Sequence, residues 1–135
     1  SKVDRCIVGE GSEIYGEVYN SVIGSGVVIE EGTVVRDSII MSGTRIGRNC
    51  TIDKAIVAEN VEVGDNVVFS VGEYAESALN PKVYAFDLVT VAENSVIPSD
   101  VQIGKNTAIV GKTEAADYPN GLLASGQAIV KAGEM

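Results

Sequence analysis

The stretch from Val22 to Phe69 is written in hexads. Ile23-Gly-Ser-Gly26-Val27-Val28 is followed by Ile29-Glu-Glu-Gly32-Thr33-Val34. Ile40-Met-Ser-Gly43-Thr44-Arg45 and Ile46-Gly-Arg-Asn49-Cys50-Thr51 come next, then Val57-Ala-Glu-Asn60-Val61-Glu62 and Val63-Gly-Asp-Asn66-Val67-Val68. Each hexad opens on a branched aliphatic residue, carries Gly or Asn fourth, and a small or β-branched residue fifth. Five-residue units separate the pairs: Val18-Tyr-Asn-Ser-Val, Val35-Arg-Asp-Ser-Ile and Ile52-Asp-Lys-Ala-Ile. The resulting period of 17 sets Ile23, Ile40 and Val57 in one column, Ile29, Ile46 and Val63 in a second, and Val18, Val35, Ile52 and Phe69 in a third.

Side chains alternate between the two faces of a strand, so the first and fifth positions point inward across a turn and the second points outward. Gly and Asn tolerate the left-handed backbone of a sharp corner. Three short strands and three corners therefore make one triangular coil. The next coil stacks on it in parallel, roughly 4.8 Å away. A β-sandwich also has short strands and Gly/Asn turns, but its loops do not hold a fixed repeat. The pattern specifies an all-β parallel β-helix, a hexapeptide-repeat solenoid.

The flanks fit that frame with interruptions. Coil one, Val8 to Val22, is two residues short, with Gly9, Gly11 and Gly16 expected to ease its corners. After Phe69 the frame would place Tyr74 and Asn80 inward, with Pro81 next. A buried amide without a partner and a missing ladder donor both oppose a coil there. An excursion loop is expected near Gly72–Lys82, with the repeat resuming at Phe86-Asp-Leu-Val-Thr. Hexads opening at Val91, Ile97 and Ile103 follow, which brings the expected count to about five to six coils. Ala115–Gly121 reads as a turn-rich crossing. Leu122-Leu123 and Ala128-Ile129-Val130 are candidates to cap the open end.

Residues 1–135 read as one β-helix domain. Because the chain starts Ser-Lys-Val directly on a repeat edge, and solenoids normally need a capped end, preceding residues are expected. The net charge of −9 opposes nucleic acid and anionic membrane as partners. No apolar run reaches a membrane-spanning length. Cys50 falls at an inward fifth position and is expected to serve packing; neither it nor Cys6 requires a disulfide, which fits a cytoplasmic location.

Candidate chemistry is sparse. The chain has no His, which removes the general base of hexapeptide acyltransferases and the zinc ligands of hexapeptide carbonic anhydrases. Two distant Cys make no metal site. Ser42-Gly43-Thr44-Arg45-Ile46 echoes a nucleotidyltransferase loop, but it sits in hexad register and lacks a preceding Gly-rich stretch, so it reads as structure. Arg36, Arg45 and Arg48 are candidate anion contacts for an effector. Against that, the period aligns Arg48 with Glu31 and Asp65, Arg36 with Asp53, and Arg45 with Glu62, which predicts surface charge ladders worth about 0–1 kcal/mol per pair. The outward apolar positions carry more information. Val22, Ile39 and Ile56 form one outward column, and Val34 and Val68 flank Thr51 in another. Exposed β-branched residues in a row predict a covered interface.

The run from Asn20 to Val67 resembles the C-terminal β-helix domain of bacterial glucose-1-phosphate adenylyltransferases. Asn20-Ser21-Val22-Ile23, Asp37-Ser38-Ile39-Ile40-Met41 and the change from 15- to 17-residue coils carry the resemblance. Val96-Ile97-Pro98-Ser99, Ile103-Gly104-Lys105-Asn106 and Tyr118-Pro119-Asn120-Gly121 extend it. The resemblance implies a left-handed coil and a parent enzyme that joins ATP and glucose 1-phosphate into ADP-glucose and pyrophosphate for glycogen synthesis. It implies that Mg²⁺ and ATP act in an N-terminal nucleotidyltransferase domain, leaving this chain non-catalytic. It further implies a homotetramer and a sugar-phosphate effector. The family's activator Lys lies in a segment like TVxxK; the corresponding stretch is Val89-Thr90-Val91-Ala92-Glu93, where Glu93 stands in its place. That departure leaves room for a regulatory paralogue. The β-helix domain of another sugar-nucleotide pyrophosphorylase is the alternative, and a hexapeptide acyltransferase a more distant one.

Overall fold

A computed structural model of the protein describes residues 2–71 and 88–130. The strands fall into three parallel sheets, the three faces of a solenoid. The first face stacks β1 (Lys2–Asp4), β4 (Glu17–Tyr19), β7 (Val34–Arg36), β10 (Thr51–Asp53), β13 (Val68–Val71), β16 (Gln102–Gly104) and β18 (Leu122–Leu123). The second stacks β2 (Ile7–Val8), β5 (Val22–Ile23), β8 (Ile39–Ile40), β11 (Ala55–Val57), β14 (Val89–Val91), β17 (Thr107–Val110) and β19 (Ala128–Val130). The third holds β3 (Glu13–Ile14), β6 (Val28–Ile29), β9 (Arg45–Ile46), β12 (Glu62–Val63) and β15 (Val96–Ile97). Consecutive strands never pair; each bonds to the strand one coil away, as a hexapeptide β-helix requires.

The register realises the columns. Ile23 pairs with Ile40 and Ile40 with Val57; Ile29 pairs with Ile46 and Ile46 with Val63; Val18 pairs with Val35 and Val35 with Ile52. All of these side chains are buried, and they form the core. The fifth positions complete it: Val27, Thr33, Thr44, Cys50, Val61 and Val67 are buried as well. Burying a hydroxyl costs unless it is bonded, and here each is. Thr33 Oγ1 donates to the Gly47 carbonyl at 2.5 Å, and Thr44 Oγ1 to Ala58 at 2.7 Å. Cys50 Sγ makes the same step, donating to Gly64 O at 3.1 Å.

Corners follow the fourth-position rule. Gly26, Gly32, Gly43, Asn49, Asn60 and Asn66 all have positive φ, as do Asn20, Asp37 and Lys54 in the short units. Of the glycines expected to ease the first coil, Gly11 has φ +74°, whereas Gly9 and Gly16 act through space. A Cβ on Gly16 would lie 2.2 Å from the Thr33 carbonyl oxygen, so the next coil could not approach.

Two faces carry seven layers, above the count of five to six drawn from hexads. The extra layers come from segments without hexad spelling. β1 pairs with β4 ahead of coil one, β2 pairs with β5 at its start, and β18 and β19 pair with β16 and β17 at the other end. The tail segment expected as a cap therefore adds a layer. It is reached through two 3₁₀ turns, Ala115–Asp117 and Pro119–Gly121. Tyr118 between them is buried, with its hydroxyl 2.8 Å from Thr113 Oγ1. Burial pushes its phenol up to about 12. The expected excursion at Gly72–Lys82 and the unit beginning at Phe86 lie outside the described residues. The ladder itself passes directly from Ile56 to Thr90, a step of 34 positions where 17 is the rule.

Candidate interface face and arginine groove

The second face presents one outward column. Ile7, Val22, Ile39 and Ile56 are in register, and the column continues through Thr90, Ala108 and Ala128. Ile7 is 70% exposed, Val22 42% and Ile39 41%, and Ile56 is half-buried. Of the five residues predicted as an interface, the structure thus brings Val22, Ile39 and Ile56 together, adds Ile7, and places Val34 and Val68 on another face. The 15-residue step of the first coil, which sets Ile7 on Val22, was the available signal for it. Val34 and Val68 stand on the first face, both half-buried, with exposed Thr51 between them. Their column begins at Lys2 and Glu17 and is mixed in character.

The arginines divide between faces. Arg45 and Arg48 line a groove of about 510 Å³ on the third face, with Glu30, Glu62, Asp65 and Ser99. An adjoining groove of about 430 Å³ shares both arginines and adds Glu13, Tyr15 and Glu31. Arg36 lies on the first face, where its guanidinium sits 5.5 Å from the Tyr19 ring centre; Lys2 approaches the same ring at 5.6 Å. The Tyr19 hydroxyl donates to the Glu17 carboxylate, and that bond holds its phenol above the ordinary range.

The ladder registers hold, with Arg45 beside Glu62 and Arg36 beside Asp53. The ion pair goes elsewhere. Arg45 Nη2 meets Glu30 Oε2 at 2.7 Å, across one layer and two positions along the chain from its register partner Val28. The Arg45 side chain remains 65% exposed, so this pair is worth at most about 1 kcal/mol. Arg48 is stacked by its backbone: its N–H donates to Asp65 Oδ1 at 2.8 Å, its carbonyl accepts from Asn66, and Asn49 donates to Glu31 O. Carboxylates outnumber arginines three to two in the larger groove, which makes it a mixed-charge surface rather than a cationic one.

Neither thiol is in a disulfide. Burial raises the pKa of Cys50, consistent with a packing role, and Cys6 Sγ donates to Asp4 O at 3.1 Å. The Ser42–Ile46 echo is structural: Gly43 turns a corner at φ +76° and Thr44 is buried. Among the described residues, no three His, Cys, Asp or Glu side chains converge to hold a metal ion. Glu93 is exposed beside the corner residue Asn94.

Residues 1–77 match the family model described as GlmU-like, C-terminal hexapeptide. A glucose-1-phosphate adenylyltransferase from Lachnospira eligens is 64% identical over 98% of this chain and 31% of its own length. The Thermotoga maritima protein of the same name is 60% identical over 96% of this chain and 31% of its own. That from Acetivibrio thermocellus is 41% identical over 98% and 31%. The chain thus spans about 31% of the length of these curated relatives. Among solved structures, a putative acetyltransferase from Desulfovibrio desulfuricans G20 aligns over 94% of this chain and 25% of that one, with a TM-score of 0.37 and 10% identity. That likeness is too loose to carry an argument.

Proposed function

The chain belongs to the GlmU-like C-terminal hexapeptide family, and on that premise we propose that it is the β-helix domain of a glucose-1-phosphate adenylyltransferase. The observation that carries this reading is identity of 64%, 60% and 41% to three proteins of that name, over nearly the whole chain. The parent would condense ATP with glucose 1-phosphate, releasing pyrophosphate and forming ADP-glucose for glycogen synthesis. The domain's own part is assembly and regulation, in a cytoplasmic homotetramer. Catalysis, with Mg²⁺ and ATP, belongs to the part of the parent outside this chain. The chain's share of about 31% of each relative's length supports that division. A sugar-phosphate effector would find Arg45 and Arg48 in one groove, but only with carboxylates among them.

A second reading is favoured by Glu93, a regulatory subunit without the usual activator response. An exposed carboxylate where an activating anion would be received repels it. One assay addresses both readings. The full-length parent is supplied with glucose 1-phosphate, Mg²⁺ and either ATP or GTP, with and without fructose 1,6-bisphosphate. ATP-dependent ADP-glucose formation supports the enzyme, and a preference for GTP overturns it in favour of another sugar-nucleotide pyrophosphorylase. Activation only after Glu93→Lys supports the altered regulation. The 135-residue chain alone is expected to form no ADP-glucose above a protein-free control.

A further inference from the structure

The grooves of the third face lie between two rows of side chains. The outward strand column, in register, is Glu13, Val28, Arg45, Glu62 and Val96. The corner that follows it supplies the second row, Glu31, Arg48, Asp65 and Ser99. Gly47 and Gly64 lie between the rows. A Cβ on Gly47 would stand 2.6 Å from the Gly64 carbonyl oxygen, and one on Gly64 2.6 Å from the Ser99 nitrogen. Contact between coils therefore keeps this floor free of side chains. The two grooves share Arg45 and Arg48, and together they cross five layers, about 19 Å at roughly 4.8 Å per step. Tyr15 stands at one end, 49% exposed. Lys2 and Arg36 are drawn to the ring of Tyr19 and not to this one.

Charge along the groove is banded by layer: Glu30 and Glu31, then Arg45 and Arg48, then Glu62 and Asp65. An anion on Arg48 would meet carboxylates about 5 Å away on both sides, and a cation on Glu62 would meet guanidinium groups at the same spacing. Neither ion gains much. A neutral molecule rich in hydroxyls does, because each hydroxyl can accept from a guanidinium and donate to the carboxylate of the next layer. Bonds to charged partners are the stronger ones. The groove has such capacity to spare: Arg45 is paired with Glu30, but no ion pair joins Arg48 to Glu31 or Asp65. Asp65 commits Oδ1 to the Arg48 N–H. The open ring of Tyr15 offers an apolar surface with a polar tip, suited to the C–H face of a sugar ring. Spacing separates the polymer classes. Side chains on one face of an extended peptide recur every 6.6 Å or so, out of step with layers about 4.8 Å apart. A pyranose ring advances its chain by close to one layer. We propose that the third-face groove binds a linear, uncharged oligosaccharide laid along the solenoid axis, stacked on Tyr15 and hydrogen-bonded by Arg48, Glu62 and Asp65. This goes beyond the adenylyltransferase reading and does not rest on it.

The test is isothermal titration calorimetry on the full-length parent, with maltoheptaose, cellohexaose and mannohexaose as neutral probes. Fructose 1,6-bisphosphate and trilysine are the charged probes. At least one neutral oligosaccharide is expected to bind, with an affinity that does not change with salt. Tyr15→Ala and Arg48→Ala should each weaken it at least about tenfold. Tyr15→Phe, which keeps the ring, and Tyr19→Ala, on the first face, should leave it within about twofold. Circular dichroism checks the fold of each variant, and Glu62→Gln replaces any that misfolds. Absence of binding by all three neutral probes up to about 10 mM would overturn the proposal. So would binding that survives both Tyr15→Ala and Arg48→Ala, which would place the sugar elsewhere on the parent. Salt-sensitive binding of a charged probe that Arg48→Ala abolishes, with no neutral probe bound, would assign the groove to an ion instead. ADP-glucose formation is recorded separately. Oligosaccharide binding without that activity would remove the enzyme reading and leave the groove in place, and activity without binding would do the reverse.

Discussion

Replacing Ile46 with Asp tests the column register at its centre. Ile46 is fully buried, stacked between Ile29 and Val63, which are 0% and 4% exposed. Removing the aliphatic side chain costs about 2–5 kcal/mol through lost transfer energy and the cavity left behind. The carboxyl that replaces it has two ways to exist there. Neutral and unpaired, it adds about 1–3 kcal/mol. Ionised, it costs more, and that cost shows as a folded pKa raised by as much as about 3–5 units, each worth about 1.36 kcal/mol. A total of about 3–8 kcal/mol is comparable with the whole stability of many domains. With a urea slope of about 2 kcal/mol/M, the midpoint falls by at least about 1.5 M, or the chain does not fold. The loss also depends on pH. A folded pKa above the unfolded value means that the unfolded chain releases its proton first, so the variant weakens as pH rises from about 4 through the folded pKa. Near pH 3, relative to wild type, it recovers to the penalty of the neutral acid. Ile46→Val should cost only about 0.5–1.5 kcal/mol. Thr51→Asp, exposed on the first face, should cost less than about 1 kcal/mol. Urea titration followed by circular dichroism at two pH values reads all three. An Ile46→Asp midpoint equal to wild type would show that position 46 does not face the core, and the register would fall with it.

The remaining predictions concern corners, thiols and the tail. Gly32→Ala should destabilise by about 1–3 kcal/mol, since a Cβ at φ +79° would also meet Asn49 Oδ1 at 2.2 Å; Gly26→Asn should be nearly neutral, with nothing within 4 Å and Asn already adopting this turn at positions 60 and 66. Thermal melts of the two variants check the contrast, and equal losses would contradict it. Cys50 should resist alkylation at pH 8 until the chain is unfolded, because burial raises its thiol pKa, and Cys50→Thr should hold stability within about 1 kcal/mol by repeating the bonds of Thr33 and Thr44. Mass spectrometry of labelled peptides and a urea curve read these outcomes. The Tyr118 phenol is raised from 10.0 to about 12, so stability should fall between those pH values as the unfolded chain ionises first. Tyr118→Phe should remove that dependence and cost about 0.5–1.5 kcal/mol at neutral pH; a pH slope that survives the substitution would point to another group.

The sequence by itself determined the columns and the corners. Coil height is set by inter-strand hydrogen bonds and coil circumference by the covalent chain, so a fixed repeat assigns each residue a face and a direction. Ile23, Ile40 and Val57 are buried where the count sends them inward, and Val22 and Ile39, one residue earlier, are exposed. The same count marked Asn49, Asn60 and Asn66 as corners, because few residues accept positive φ. Tertiary structure decided what periodicity does not encode. Arg45 reaches Glu30 and not Glu62, because the end of a long side chain is free to choose among neighbours that a one-dimensional repeat ranks equally. Arg36 parts from Arg45 and Arg48 because a short unit turns it onto another face, beside Tyr19. Gly16 proved a point of contact between coils, a property of the space above it and not of its own torsion. The outermost layers were hidden for a related reason. β1, β18 and β19 lack hexad spelling, and they become strands because the coil beside them offers a parallel edge with donors and acceptors waiting to be paired.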